Sequence, residues 1–294
     1  MTVESLAQVA ISGLQAGCIY ALMALSYLVI LNATGILNFA QGEWMMLAAV
    51  LGFVLLAAGM PYPLVILTSV LAATALALLA ERLVVRPLTN RHAPHTVLLI
   101  SLFGVLLVAR YGAGSLFDRQ EHPLPGPLGS DPLRLAAGLF ILPQTLLVYA
   151  ATAAIFGAVW LFLQRTWLGR SLRVAAIDPL AAEVVGVNLG QVRLVAFGLG
   201  GIIAALVGWL YGPLYAAGYL IGIVPGIKGF IALIIGGTVS VGGALVGGLV
   251  LGLIEAAAAR YLPSVYSEAV AFLVLMVVLF ARPSGLLGST WQSD

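Results

Sequence analysis

The chain is built from long, unbroken apolar stretches separated by short polar connections. Apolar runs cover residues 6–31, 37–58, 62–83, 96–111, 145–164 and 192–212. Two shorter glycine-rich runs follow at 227–239 and 242–259, and a last run covers 266–281. A lipid-facing barrel strand alternates apolar and polar residues over about ten positions. Continuous runs instead suit helices, which satisfy their own backbone hydrogen bonds where water is absent. At roughly 20 residues per crossing, the pattern predicts an all-α polytopic transmembrane bundle of about eight spans (seven to ten at the limits). The glycine-rich pair after Pro225 reads as two spans, one broken span or a re-entrant pair. No polar stretch is long enough for a separate soluble domain, so residues 1–294 are expected to form one transmembrane domain.

Composition fixes the solvent. The chain is 62% hydrophobic and 8% charged, against about 25% charged in soluble domains, so lipid must cover most of the surface. A net charge of +2 offers no case for a nucleic-acid partner. Cys18 is the single cysteine, which excludes an intrachain disulfide and a cysteine metal cluster and leaves a small packing residue. Glu4 and the lack of a basic residue before the first apolar run point to a retained span rather than a cleaved signal peptide.

Arginine placement predicts sidedness, because Lys and Arg in short loops favour the cytoplasm. Arg82, Arg86 and Arg91 follow the third run; Arg165, Arg170 and Arg173 follow the fifth, with Arg193 at the far end of that loop. Both loops are expected inside. The Pro-rich segment 112–144 mixes Arg119 and Arg134, with Arg110 just before them, with Asp118, Glu121 and Asp131, and is expected outside. Counting back puts the N-terminus outside, while Arg282 puts the C-terminus inside; the two ends together demand an odd number of crossings, in conflict with eight.

Thirty-four glycines change the picture of a simple bundle. Gly243 with Gly247, and Gly248 with Gly252, have the spacing that lets helix backbones approach closely. The other reading is that Gly236, Gly237, Gly242 and Gly243 break a helix beside a transport path. Ionisable groups inside a span cost about 2.5–3.5 kcal/mol on insertion scales, so each is a candidate. Glu43 lies early in the second run beside Asn38 and Gln41, and Lys228 is the only lysine. Both fit an interfacial position, with Lys228 reaching water by its long stem; the functional alternative is that they line a water-filled path or pair with each other. Glu255 reads as an interfacial residue near Arg260.

Other chemistry is excluded by what the sequence lacks. His92, His95 and His122 have no metal-ligand spacing, and no Cys/His/carboxylate cluster fits zinc. No G-x-S-x-G elbow and no G-x-x-x-x-G-K-[ST] phosphate loop is present. If the chain takes part in ATP-driven transport, hydrolysis must occur on another polypeptide.

The loop 165–193 carries its own pattern. Asp178 is placed to cap a short helix with Pro179 at its first position. Glu183 lies beyond the capping-box position, and Asn188 or Gly190 is expected to end the helix. Leu180, Val184 and Val187 form one apolar stripe, which serves either insertion into a groove on a soluble partner or packing on the chain's own bundle.

Four blocks resemble the short-permease class of the branched-chain amino acid ABC importer family, over nearly the whole length. They are residues 13–25, matching G-x-x-x-G-x-x-Y-A-L; 35–46, reading G-I-L-N-F-A-Q-G-E-W-M-M; 169–178 with 183–188; and 226–230 with Gly236, Gly237, 242–255 and 282–288. The resemblance implies a permease in the bacterial inner membrane. It implies pairing with a second permease, two cytoplasmic ATPase subunits that use the ATP, and a periplasmic substrate-binding protein. It carries ATPase coupling to Gly169, Arg170, Arg173, Asp178, Glu183, Gly186 and Asn188, and places Asn38, Phe39, Gln41, Glu43 and Lys228 at the transport path. Gln41 departs from the family's usual His, which removes a group able to titrate near neutral pH and leaves room for a different cargo. Branched-chain or other small amino acids are expected; urea or short amides, and an ion-coupled secondary transporter, are the alternatives. An intramembrane enzyme would need a nucleophile and base within the spans, and none is evident.

Overall fold

A computed structural model describes residues 3–117, 119–129, 131–134 and 139–288. The helices are α1 (Val3–Thr34), α2 (Gln41–Ala57), α3 (Tyr62–Ala80), a π-helical turn (Glu81–Val85), α4 (Arg86–Asn90), α5 (His95–Leu116), α6 (Pro143–Arg165), α7 (Trp167–Ile177), α8 (Pro179–Val184), α9 (Leu189–Tyr215), α10 (Ile223–Gly236), α11 (Val241–Tyr261) and α12 (Ser264–Ala281). Two short strands, β1 (Leu133–Arg134) and β2 (Phe140–Ile141), pair antiparallel with Leu133 opposite Ile141. This hairpin was not foreseen in the Pro-rich segment.

Every apolar run of the sequence becomes a helix. Among the described residues, six helices are long and apolar enough to cross a membrane: Glu4–Thr34, Tyr62–Asn90, His95–Leu116, Pro143–Arg165, Leu189–Tyr215 and Val241–Tyr261; three shorter apolar ones are Gln41–Ala57, Ile223–Gly236 and Ala269–Ala281. The chain is a multi-pass helical membrane protein. It divides into two compact units, one of Met1–Leu28, Pro125–Phe156 and Ile227–Asp294, the other of Val29–Leu124 and Gly157–Gly226.

In the first unit α11 packs through glycine on two faces. A Cβ at Gly243 or Gly247 would strike the backbone at Gly236, and one at Gly248 or Gly252 would strike Ala21 or Gly17 of α1. Gly17 answers in kind: a Cβ there would lie 2.9 Å from Leu249 Cα. The small-xxx-small spacing therefore serves close helix contact, where dispersion replaces the missing hydrophobic drive. The helix does break at Gly236 and Gly237, and Gly237 has φ +99°, but the break is sealed. Leu286 N–H donates to Ile235 O at 2.8 Å and Leu287 N–H to Gly236 O at 3.1 Å, which satisfies carbonyls the helix end would leave orphaned.

In the second unit α2 is the central helix, buried from Gln41 to Val50 and again at Gly52, between α3 and α9. A helix apolar all round is one surrounded on all sides. Gly208 admits the Met45 carbonyl, Gly52 receives the Trp209 ring, and Trp209 Nε1 donates to Ser69 Oγ at 2.7 Å to tie α9 to α3. One end of this unit holds an apolar cluster of Ile30, Ile36, Val85, Leu98, Leu102 and Phe197.

Candidate functional site

The second unit contains two irregular segments where a plain bundle would have helix. Residues 35–40 connect α1 to α2, and 216–222 connect α9 to α10. Both are packed inside: Ile36, Asn38, Ala40, Ala217 and Ile221 are buried. They meet at Gly42 and Gly222, where a Cβ on either would strike the other's backbone carbonyl. Their depth follows from α9, because Gln41 lies against Gly200 and Ala49 against Gly212, so α2 begins partway along α9 and not at its end. Non-helical backbone at such depth survives only inside protein or beside an aqueous cavity, and broken helices of this kind build substrate and ion sites in other transporters.

The polar side chains of block 35–46 sit at this junction. Asn38 Oδ1 accepts the Ala40 N–H at 3.1 Å and its amide donates to Gln41 Oε1 at 3.4 Å, so Asn38 shapes the entry to α2. Phe39 is half-buried. Glu43, in the first turn of α2 where a negative charge suits the helix dipole, accepts from Arg110 Nε at 3.1 Å and from Nη2. The Glu43 side chain is 2% exposed and that of Arg110 15%. Glu43 Oε2 has no hydrogen-bond partner among the described residues.

Lys228 belongs to the first unit and pairs with Glu255, its ammonium also 5.5 Å from the Tyr20 ring centre. This corrects three expectations. Glu43 and Lys228 do not pair with each other; each has another partner. Lys228 does not reach out to water, since its head group is engaged and its side chain largely buried. Glu255 answers Lys228 rather than standing as an interfacial neighbour of Arg260. Glu43 is also not alone among buried acids: Glu81, first residue of the π turn, accepts from Arg193 Nε at 2.7 Å, and both side chains are buried.

The segment 165–193 is more structured than a loop with one helix. Thr166 Oγ1 accepts the Gly169 N–H at 2.9 Å and starts α7, while a Cβ on Gly169 would strike the Phe162 carbonyl, so glycine lets α7 fold tightly back on the end of α6. Arg170 lies over the Trp167 ring, and Arg173 donates to Gln164. Asp178 caps α8 as expected, accepting from Leu180 N–H at 2.9 Å and Ala181 N–H at 3.1 Å. The helix ends earlier than expected: it stops at Val184, and Gly186 (φ +86°) makes the left-handed turn. Asn188 does not end α8; it caps α9, accepting the Gln191 N–H at 3.1 Å. Leu180 and Val184 are 75% and 88% exposed, so the stripe does not lie on the chain's own bundle, while Val187 is half-buried beyond the helix. Ile177 and Val185 extend the exposed apolar row, and Glu183 is exposed beside it.

The model of the family described as "Branched-chain amino acid transport system / permease component" matches residues 9–279. The chain belongs to this family. The permease is 32% identical to the high-affinity branched-chain amino acid transport system permease protein BraD of Pseudomonas aeruginosa, over 95% of this chain and 94% of that one. It is 29% identical to LivH, the corresponding protein of Salmonella typhimurium, over 94% of each. Among solved structures, PsaBC from Streptococcus pneumoniae in complex with Fab aligns with 96% of the permease and 91% of that chain at 12% identity and TM-score 0.48, a likeness too slight to build on.

Sequence reasoning missed Arg110, Glu81, Arg193 and α7 as elements of these sites. Arg110 and Arg193 were counted as loop arginines, and Glu81 lay unremarked at the end of an apolar run. The available signal was cost: an acid inside an apolar run requires a counter-charge on another run.

Proposed function

We propose that this permease carries branched-chain or other small amino acids across a bacterial cytoplasmic membrane, as one of two paired permease subunits driven by two ATPase subunits on other chains. The whole chain acts as one transmembrane permease domain, with substrate delivered by a soluble binding protein. It binds no cofactor itself; ATP is used by the partners. The observation that carries the ATP-driven reading is the α7–α8 elbow. Its apolar row of Ile177, Leu180, Val184 and Val185 stands exposed on a helix held at both ends by Asp178 and Gly186. A short helix presenting such a row is the shape that enters a groove on a soluble partner. Gly169, Arg170, Arg173, Glu183 and Asn188 build or flank that elbow and serve coupling.

The transport path is assigned to the junction of the two irregular segments, with Asn38, Phe39, Gln41 and Glu43 on the 35–46 side. Lys228, held by Glu255, is assigned to the wall of the path in its own unit. The mechanism is alternating access: ATP binding draws the partner ATPases together, the elbow moves with them, and the helices it joins switch the junction between the two sides. ATP shifts that equilibrium only through its differential affinity for the two states.

The test uses the complete complex in lipid vesicles with its binding protein. ATP should drive leucine accumulation, and L180D/V184D should reduce copurified ATPase and uptake together without lowering permease yield, since both side chains are exposed. Undiminished uptake by that variant overturns the elbow as docking element. Accumulation driven by an ion gradient without ATP overturns the ATP-driven reading itself.

A further inference from the structure

We propose that the buried Glu81–Arg193 pair is the joint through which motion of the α7–α8 elbow reaches the long membrane helix Tyr62–Asn90. The inference rests on the elbow being the ATPase docking element. Four observations converge on it. Arg193 lies one turn into α9, close behind the Asn188 cap that ends the elbow, so a displaced elbow moves Arg193 with the start of α9. Glu81 opens the π turn in the middle of Tyr62–Asn90. A π turn carries an extra residue within the helical ladder and is a place where a helix changes register, often at functional positions. The pair is the charged link between these elements, at 2.7 Å with both partners buried, and the π turn packs directly on α9.

The fourth observation is space. A partly polar cavity of about 370 Å³ lies beside Arg193, lined by the end of α1 (Asn32 and Thr34 among its residues), by Ala175 and Ala176 of α7, and by Pro179 of α8. The elbow therefore has room to move against the first turn of α9 instead of being packed solid there. Immediately beyond the pair, Val85 of the π turn and Phe197 of α9 are fully buried in one apolar cluster with Ile36 of the irregular segment 35–40. Displacement at the pair is thus passed by packed side chains to the segment that leads into α2 and Glu43. Glu81 and Arg193 act as positioning residues: neither needs to touch substrate.

E81Q and R193K are compared with wild type in the complete complex in vesicles, measuring solute accumulated per ATP hydrolysed, normalised to assembled complex. A purely structural pair would lower the amount of complex, or both rates in proportion, and leave the ratio unchanged. The joint predicts a ratio at least tenfold lower in E81Q at near-normal ATP hydrolysis, a smaller fall in R193K, which keeps the charge but loses the planar fork, and partial recovery in the swap E81R/R193E. A wild-type ratio in any assembled single variant overturns the proposal; if E81Q does not assemble, R193K decides by the same ratio. An L180D/V184D complex that keeps wild-type uptake and ATPase binding instead overturns the docking reading on which the proposal rests.

Discussion

Removing Arg110 should harm the permease more than neutralising Glu43, and removing both should harm it less than removing Arg110 alone. The asymmetry comes from exposure. In R110M the Glu43 carboxylate loses both donors to Oε1, while its Oε2 already lacks one among the described residues. The group is 2% exposed. Breaking a buried pair from one side costs about 3–5 kcal/mol, mostly the penalty of the charge left behind. E43Q leaves an arginine 15% exposed, still donating to a glutamine carbonyl, and the cost falls to about 1–3 kcal/mol. E43Q/R110M leaves no buried charge, and replacing both members of such a pair with neutral groups is often close to neutral. With the double variant costing about as much as E43Q, the coupling (double minus the sum of the singles) equals the R110M cost, about 3–5 kcal/mol in favour of the double variant. The assay is thermal unfolding of the purified permease in lipid nanodiscs, followed by the fraction that remains monodisperse on size exclusion. The order expected from most to least stable is wild type, then E43Q and the double variant, then R110M. A double variant less stable than R110M by the full E43Q effect would mean additive, independent sites and refute the pair as a stability element. Wild-type uptake in folded E43Q would separately remove Glu43 from the transport path.

Two further outcomes follow from packing and capping. G17L should block folding or assembly, because a Cβ at Gly17 already lies 2.9 Å from Leu249 Cα and 3.0 Å from Gly248 O, and even one added methylene in a packed core costs about 1–3 kcal/mol; G157A, with open space around its site, should leave membrane yield unchanged, and equal yields of the two variants would contradict the α1–α11 contact. D178A removes the acceptor of two N–H groups at a cost of about 1 kcal/mol, so ATP-driven uptake should fall severalfold at constant permease yield, while D178N retains it; parity of all three would show that α8 does not need its cap.

What the sequence revealed was local. Each apolar run became a helix because a run of that length in lipid has few other ways to satisfy its backbone. The Asp178 cap was legible because Asp-Pro states its own geometry within three residues. The end of α8 was misplaced because three residues, Gly186, Asn188 and Gly190, could all terminate a helix, and only the fold shows Asn188 already committed as the cap of α9. α7 was passed over because its buried positions, Gly169, Ser171, Leu172 and Ala175, include only one large apolar residue. The apolar pattern was too sparse to announce a helix that packs through small side chains.

The ion pairs were illegible for a different reason, and that reason bears on mechanism. Their members are 67, 112 and 27 residues apart, so no local pattern joins Glu43 to Arg110, Glu81 to Arg193 or Lys228 to Glu255. Sequence gives only the cost of each charge, and the positive-inside rule then misassigns its partner: an arginine near a span end is counted toward orientation although its charge is used internally. Both Arg110 and Arg193 were read that way. A pair that lipid forbids to separate restricts how the chain can move, since its two helices must travel together at that level or expose the charges to water. Glu81–Arg193 has a partly polar cavity beside it, whereas the larger cavity at Trp44 is lined almost wholly by apolar residues and by neither Glu43 nor Arg110. Displaced charges at the elbow end of this unit therefore meet polar surface, and under the proposed ATP-driven mechanism the Glu81–Arg193 joint moves first and the path responds.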